Sequence, residues 1–165
     1  MGENYFKHTP WKSIKNGGRP PAGPYFYASS DQFDRIRLRV GDVIWHNTLR
    51  PSEDNQLVEL ILCGRLVVDF ITHDEAEARR IIWERIRQDY MWDGNTHAFA
   101  GIDAEPYDEV SIHDLASRIC SQSKSGVNCL TIVDGMIEPY QLQTIRRLTA
   151  GTVRLLEERW HSHTK

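Results

Sequence analysis

The stretch from Val43 to Ile71 limits the fold more than any other part of the chain. It holds three runs rich in β-branched, aromatic and other apolar residues: Val43-Ile44-Trp45-His46-Asn47-Thr48, then 57–63, then 66–71. Side chains of this kind suit a pleated sheet. Arg50 to Gln56 is a polar loop after the first run. Gly64-Arg65 separates the other two, which form either a tight hairpin or one long strand with a bulge at the glycine. Everything else has to pack around a sheet built here.

Upstream, Pro10, Gly17, Gly18, Pro20, Pro21, Gly23 and Pro24 break regular structure, so residues 1–24 read as an extended arm. Tyr5, Phe6 and Trp11 are too apolar for a mere tail and should pack onto the domain, with Lys7, His8, Lys12, Lys15 and Arg19 interleaved. Tyr25-Phe26-Tyr27-Ala28 is strand-like, and Ser29-Ser30-Asp31 a turn or cap. Arg35, Arg37 and Arg39 alternate with Ile36, Leu38 and Val40, which predicts an extended segment with three arginines on one face. Gly41-Asp42 then signals a turn.

Downstream, Thr72-His73-Asp74-Glu75 reads as a capping box. It opens a helix to about Tyr90, with Ala76, Ile81, Ile82, Trp83 and Ile86 as its apolar stripe. Met91 to Tyr107 is irregular and long enough to demand a binding or packing reason. Further helices are predicted from Ser111 to about Cys120, over 139–148 and over 150–161, with Thr149 capping the last. Ser121 to Asn128 is a polar loop. Leu130–Val133 is a short strand or apolar turn. The order of β-rich half and then helices predicts an α+β domain, residues 1–165, with a small curved barrel-like sheet and a mainly helical C-terminal half.

The chain has 165 residues, 40% apolar and 26% charged, which allows one domain with its own core. No apolar run approaches the roughly 20 residues of a membrane span. Met1–Tyr5 carries no apolar signal core, and Phe6 stands where a myristoylation pattern needs Ser or Thr. A cytoplasmic location is expected, with no membrane partner. Cys63, Cys120 and Cys129 are odd in number and far apart, so neither a disulfide framework nor a zinc site is expected. Residues 1–50 carry a net charge of +4 and residues 51–165 a net −7. Such asymmetry can mark a nucleic-acid face, or be ordinary scatter.

The candidate site residues sit in that basic part and in the 92–97 loop. Trp11, Tyr25, Tyr27, Trp45 and Trp92 are flat rings near loops or strand ends, able to sandwich an unstacked base or to serve as core. Along a strand, Trp45 and Asn47 share one face, while His46 and Thr48 share the other. His46 and Asn47 can hydrogen-bond a base edge. Trp92-Asp93-Gly94-Asn95-Thr96-His97 offers Asp93, Asn95 and His97, although its spacing excludes a calcium loop. Lys12, Lys15, Arg19, Arg35, Arg37 and Arg39 are candidate phosphate contacts. Phosphate loops, dinucleotide fingerprints, nucleophile elbows and His-Glu-x-x-His are absent, so no catalytic residue, cofactor or metal is assigned.

Three segments together resemble a known family: Tyr25-Phe26-Tyr27, Arg39-Val40-Gly41-Asp42-Val43-Ile44-Trp45, and Gly64-Arg65-Leu66-Val67-Val68. Over roughly residues 24–71 the chain resembles the PUA-like superfamily, especially EVE-type domains; residues 72–165 match nothing of the kind. The resemblance implies a curved barrel with a pocket for a flipped or modified base. It places Tyr27, Ser29, Trp45, His46 and Asn47 at that pocket. It also implies a reader of modified DNA, rather than RNA, in a restriction or defence system, working with a nuclease subunit or another protein partner. Two alternatives stay open. One is a small enzyme acting on a nucleotide or amide through His46, Thr48, Asp93 and His97. The other is an interaction subunit that leaves Leu148, Leu155, Leu156 and Trp160 exposed as an interface.

Overall fold

The computed structural model describes residues 2–14, 25–54 and 56–164. Lys15 and Arg19 therefore lie outside the described residues. The larger sheet has five strands in the order β12-β1-β3-β4-β7: Arg146–Arg147, Asn4–His8, Val43–Pro51, Val58–Val67 and Val110–Ser111. The smaller has the order β2-β6-β5: Tyr27–Ser30, Thr96–Phe99 and Phe70–Thr72. Two short hairpins, β8–β9 (Cys120–Ser123, Gly126–Cys129) and β10–β11 (Ile132–Val133, Met136–Ile137), complete the strands. The α+β class holds. Among the described residues neither sheet closes on itself, so the expected barrel is absent.

The large sheet is buried on both sides, which explains the nearly continuous apolar runs of β3 and β4. One face, carrying Tyr5, Ile44, Leu66 and Val68, packs on Tyr25, Phe26, Phe33, Ala98 and Phe99, and on Ala78 and Ile82 of helix α2 (Glu75–Ile86). The other face, carrying Phe6, Trp45, Leu60 and Leu62, packs on Ile112, Leu115, Leu142, and Leu156 and Trp160 of helix α3 (Ala150–Thr164). Val58–Val67 is thus one long strand that runs through Gly64-Arg65 with a bulge and no hairpin, while Phe70–Thr72 leaves it for the smaller sheet. Pairing shifts between His46 and Asn47, leaving Cys63 as the extra residue beside Gly64. A Cβ on Gly64 would stand 2.5 Å from the Tyr25 ring. Gly64→Ala is therefore expected to cost about 1–3 kcal/mol through overpacking, readable as a lower denaturant midpoint.

Several sequence expectations are corrected. Asn4–His8 is no arm segment: it inserts between β12 and β3, parallel to β3. Residues 31–37 form consecutive turns, with Leu38 N–H donating to Phe33 O at 3.1 Å and Arg37 at φ 56°. Phe33 and Leu38 are five apart, so an extended chain would send them to opposite faces. The turn brings both into the core. The three arginines consequently share no strand face.

The cap of α2 is Asp74, whose carboxylate accepts the Glu77 N–H at 3.1 Å. Thr72 is claimed by β5, paired with His97. The helix stops at Arg87, in the left-handed region. His113–Arg118 and Pro139–Leu142 are 3-10 turns rather than α-helices. Arg146–Arg147 goes to the sheet edge because Ile145 and Leu148 beside it are buried. The predicted last helix is α3, and Thr149 does cap it, accepting the Thr152 N–H.

Cys120 and Cys129 form a disulfide across the β8–β9 hairpin. The number and spacing of the cysteines do not reveal it, because only the fold of 120–129 as a hairpin sets the two residues opposite one another. Such bonds persist in oxidising surroundings. No described helix is long and apolar enough to cross a membrane.

Candidate binding site between the two sheets

Alternation along β1 and β3 decides which side chains meet the small sheet. Tyr5 and Ile44 face it, so Lys7 and His46, each two residues on, face it as well. Opposite them, β2 supplies Tyr27 and Ser29, and β6 supplies His97, paired with Ser29. The segment before β6 adds Tyr90, Trp92 and Asp93.

His97 is fully buried at the centre of this group. Trp92 stacks on it at 4.8 Å between centroids, and Tyr27 lies nearly parallel to it at 6.3 Å. Its Nδ1 is 2.9 Å from the Asn95 carbonyl, which only accepts, so Nδ1 holds the proton. Its Nε2 lies 2.7 Å from the Tyr90 hydroxyl oxygen. His97 is therefore an organising residue with both nitrogens used.

Asp93 is tied by the same loop. Its Oδ2 accepts from Ser29 Oγ at 2.5 Å and from Tyr90 at 3.3 Å, and its Oδ1 accepts the Asn95 N–H at 2.9 Å. Burial works to raise its pKa, but these hydrogen bonds and the nearby His97 outweigh burial and hold the carboxyl below its usual value. Burial, and then the charge of Asp93, raise Tyr27 and Tyr90, which stay protonated donors.

On the large sheet, Lys7 keeps partial surface exposure but sits in crowded surroundings. Burial draws its ammonium down to about 8, with the Asp93 charge opposing. His46 is 8% exposed and stacks on Tyr25 at 5.3 Å. Burial, then Lys7 and His8, push it well below its ordinary value, so it is neutral. Its Nε2 is 2.7 Å from Thr9 Oγ1. Its Nδ1 is buried without a partner, as is Thr48 Oγ1 on the same face of β3. Each unmet group costs about 1–3 kcal/mol, a deficit often found at functional sites.

The linkage of Lys7 to folding has a definite sign. An unfolded lysine titrates near 10.5 and the folded one at about 8. Between those values the unfolded chain binds more protons, so stability rises with pH. Tyr25, Tyr27 and Tyr90 are raised above 10.0 and act in the opposite sense beyond it. From about pH 8 to 10, wild-type stability should climb, while Lys7→Met should be more stable than wild type at pH 7 and show no such climb. Urea midpoints across this range check it.

The other sequence candidates fall elsewhere. Trp45 is on the opposite face of the sheet, fully buried, with its Nε1–H bonded to Asn4 Oδ1 at 2.9 Å. Asn47 is a buried clamp of β1 on β3, donating to Lys7 O at 3.0 Å and meeting His8 Nδ1. Tyr25 is core, pressed on Gly64. Trp11, in the single turn α1 (Trp11–Ser13), packs near Ile14, Ile61 and Cys63. Lys12, Arg37 and Arg39 are exposed; Arg35, also exposed, donates to Gln32 Oε1 and Ile145 O. Asn95 contributes only its backbone to the hydrogen bonds named above.

Sequence patterns assign no site role to Lys7 or Tyr90. The alternation Tyr5-Phe6-Lys7-His8 is the one signal for Lys7, and the prolines that follow mask it. For Tyr90 there is none.

Among the described residues no group of His, Cys, Asp and Glu has the makings of a metal site. Neither a protein-family model nor a curated protein matches the sequence.

Proposed function

We propose that this chain is a nucleic-acid reader that takes up a flipped or modified base at the end of the inter-sheet layer, on a PUA-like, EVE-type scaffold. The supporting observation is the convergence of Lys7, His46, Tyr27 and Asp93 from both sheets. A base needs flat neighbours and an edge of mixed donors and acceptors. Tyr27 and the His97–Trp92 stack supply the first, and Lys7, His46 and Asp93 the second. The Gly41–Asp42 turn supports the scaffold reading: the Asp42 carboxylate accepts from the backbone of Glu3 and Arg39, fixing β1 beside β3. Exposed Lys12, Arg35, Arg37 and Arg39 supply phosphate contacts. A nuclease partner in a restriction system would act on the DNA so recognised.

The test is fluorescence anisotropy with labelled DNA, unmodified or carrying 5-methyl- or 5-hydroxymethylcytosine, over a salt series. Expected is salt-dependent binding with at least about tenfold preference for one modified form. Absence of binding to every oligonucleotide at low salt overturns the reading.

The interaction-subunit alternative loses its surface, because Leu148, Leu156 and Trp160 are buried in the chain's own core and Leu155 is half-buried.

A further inference from the structure

A cavity opens on the other face of the large sheet, at the edge of the layer that holds α3. Phe6 of β1 and Arg146 of β12 are paired directly, so their side chains share one face. Phe6 is buried there, whereas Arg146, on the edge strand, keeps its guanidinium in water. Space beside the Phe6 ring is left unfilled, and a cavity of about 220 Å³ remains. Buried Phe6, Ile119, Leu142 and Leu148 supply its apolar lining.

Both walls are fastened. On one side, the Cys120–Cys129 disulfide ties the strands of the β8–β9 hairpin together, and the Leu130 N–H donates to Ile119 O at 3.0 Å. On the other, Gln141 of the 139–142 turn grips Thr131. Its Oε1 accepts the Thr131 N–H at 2.8 Å, and its Nε2 donates to Thr131 O at 3.0 Å. A hollow pinned on two sides already exists before a ligand arrives, which lowers the ordering cost of binding.

The charge at this cavity has one sign. Arg146 is the only charged residue among its described lining residues. The neighbouring Arg147 reaches Glu3 at 4.0 Å, whereas Arg146 makes no salt bridge among the described residues. A free guanidinium beside apolar walls, with no carboxylate in the lining, favours an apolar molecule that carries one anionic group. The planar fork of an arginine fits a carboxylate through two N–H donors. A phosphate dianion calls for a second cation, and the described lining holds none.

We propose that this cavity binds a small apolar monocarboxylate, its body against Phe6, Ile119, Leu142 and Leu148 and its carboxylate on Arg146. The site is separate from the base-reading one, and neither depends on the other.

The experiment titrates the full chain with phenylacetate and, separately, with phenylacetamide, which has nearly the same shape and no charge. Two-dimensional amide NMR follows both. Expected are saturable shifts at Phe6 and in residues 119–130 and 140–148. Phenylacetate should bind with a Kd of about 1–10 mM, at least about threefold more tightly than the amide. Arg146→Gln should bring the two ligands to equal affinity. Thr144→Trp, which sets a bulky side chain on an exposed residue of the lining, should weaken both. Spectra that otherwise overlay on wild type establish that the variants fold. Should either unfold, the comparison of the two ligands on wild type decides alone. Four results each overturn the proposal: no saturation below about 20 mM, shifts centred elsewhere, equal affinity of acid and amide on wild type, or a carboxylate preference that survives in folded Arg146→Gln. Unweakened binding to folded Thr144→Trp overturns it as well.

Discussion

Trp45→Ala is expected to lower the folding free energy by about 3–5 kcal/mol, whereas Trp92→Ala should cost only about 1–2 kcal/mol. Both tryptophans are candidates for a ligand-stacking role from sequence, and their surroundings separate them. Trp45 is fully buried among Phe6, Leu60, Leu62, Leu156 and Trp160. Its indole N–H is bonded to Asn4, and the Arg65 guanidinium lies 5.4 Å over its ring. Removing it opens a cavity in the layer that joins the sheet to α3 and orphans the Asn4 oxygen. Trp92 remains half-buried and contributes chiefly its stack on His97. Denaturant unfolding of both variants checks the contrast. Trp45→Phe, which keeps most of the packing, should bind nucleic acid as wild type does.

The second large effect concerns ligand binding. Asp93→Ala should lower affinity for the preferred base at least about tenfold, because it removes the acceptor and also releases Ser29 and Tyr90. The salt dependence should stay as in wild type, since Asp93 neutralises no phosphate. Arg35, Arg37 and Arg39 should behave oppositely. Replacing all three by Gln should weaken binding to every DNA alike. It should also reduce the slope of log affinity against log salt by about one unit for each phosphate no longer neutralised. Isotherms at several salt concentrations distinguish the two classes. A variant of Asp93 that changes the slope and leaves base preference intact would place it at the backbone.

What sequence makes legible follows from the range of the interactions involved. The β-rich stretch 43–71, the Gly64 bulge and the Thr149 cap each depend on a few neighbouring residues, and they appear where the pattern puts them. The Arg35–Arg39 alternation has the right period for a strand. It gives way because Phe33 and Leu38 both gain burial only in a turn. The parallel insertion of Asn4–His8 beside β3 joins residues about forty positions apart, and no local pattern records it. The same holds for the site. Tyr27, Ser29, His46, Trp92 and His97 are visible as residue types. Their convergence with Lys7 and Asp93 depends on the packing of two sheets, as does the removal of Trp45 and Asn47 to other duties. The Cys120–Cys129 pair becomes visible only once the intervening residues fold back as a hairpin.

The most direct test of a base-reading site between the sheets is a two-dimensional amide NMR titration of the chain with an oligonucleotide bearing the preferred base. Shifts should concentrate in Lys7–Thr9, Tyr27–Ser30, His46–Thr48 and Tyr90–His97, with α3 and the β8–β9 hairpin unmoved. Shifts centred on α3 or on that hairpin, with the inter-sheet residues silent, would contradict it.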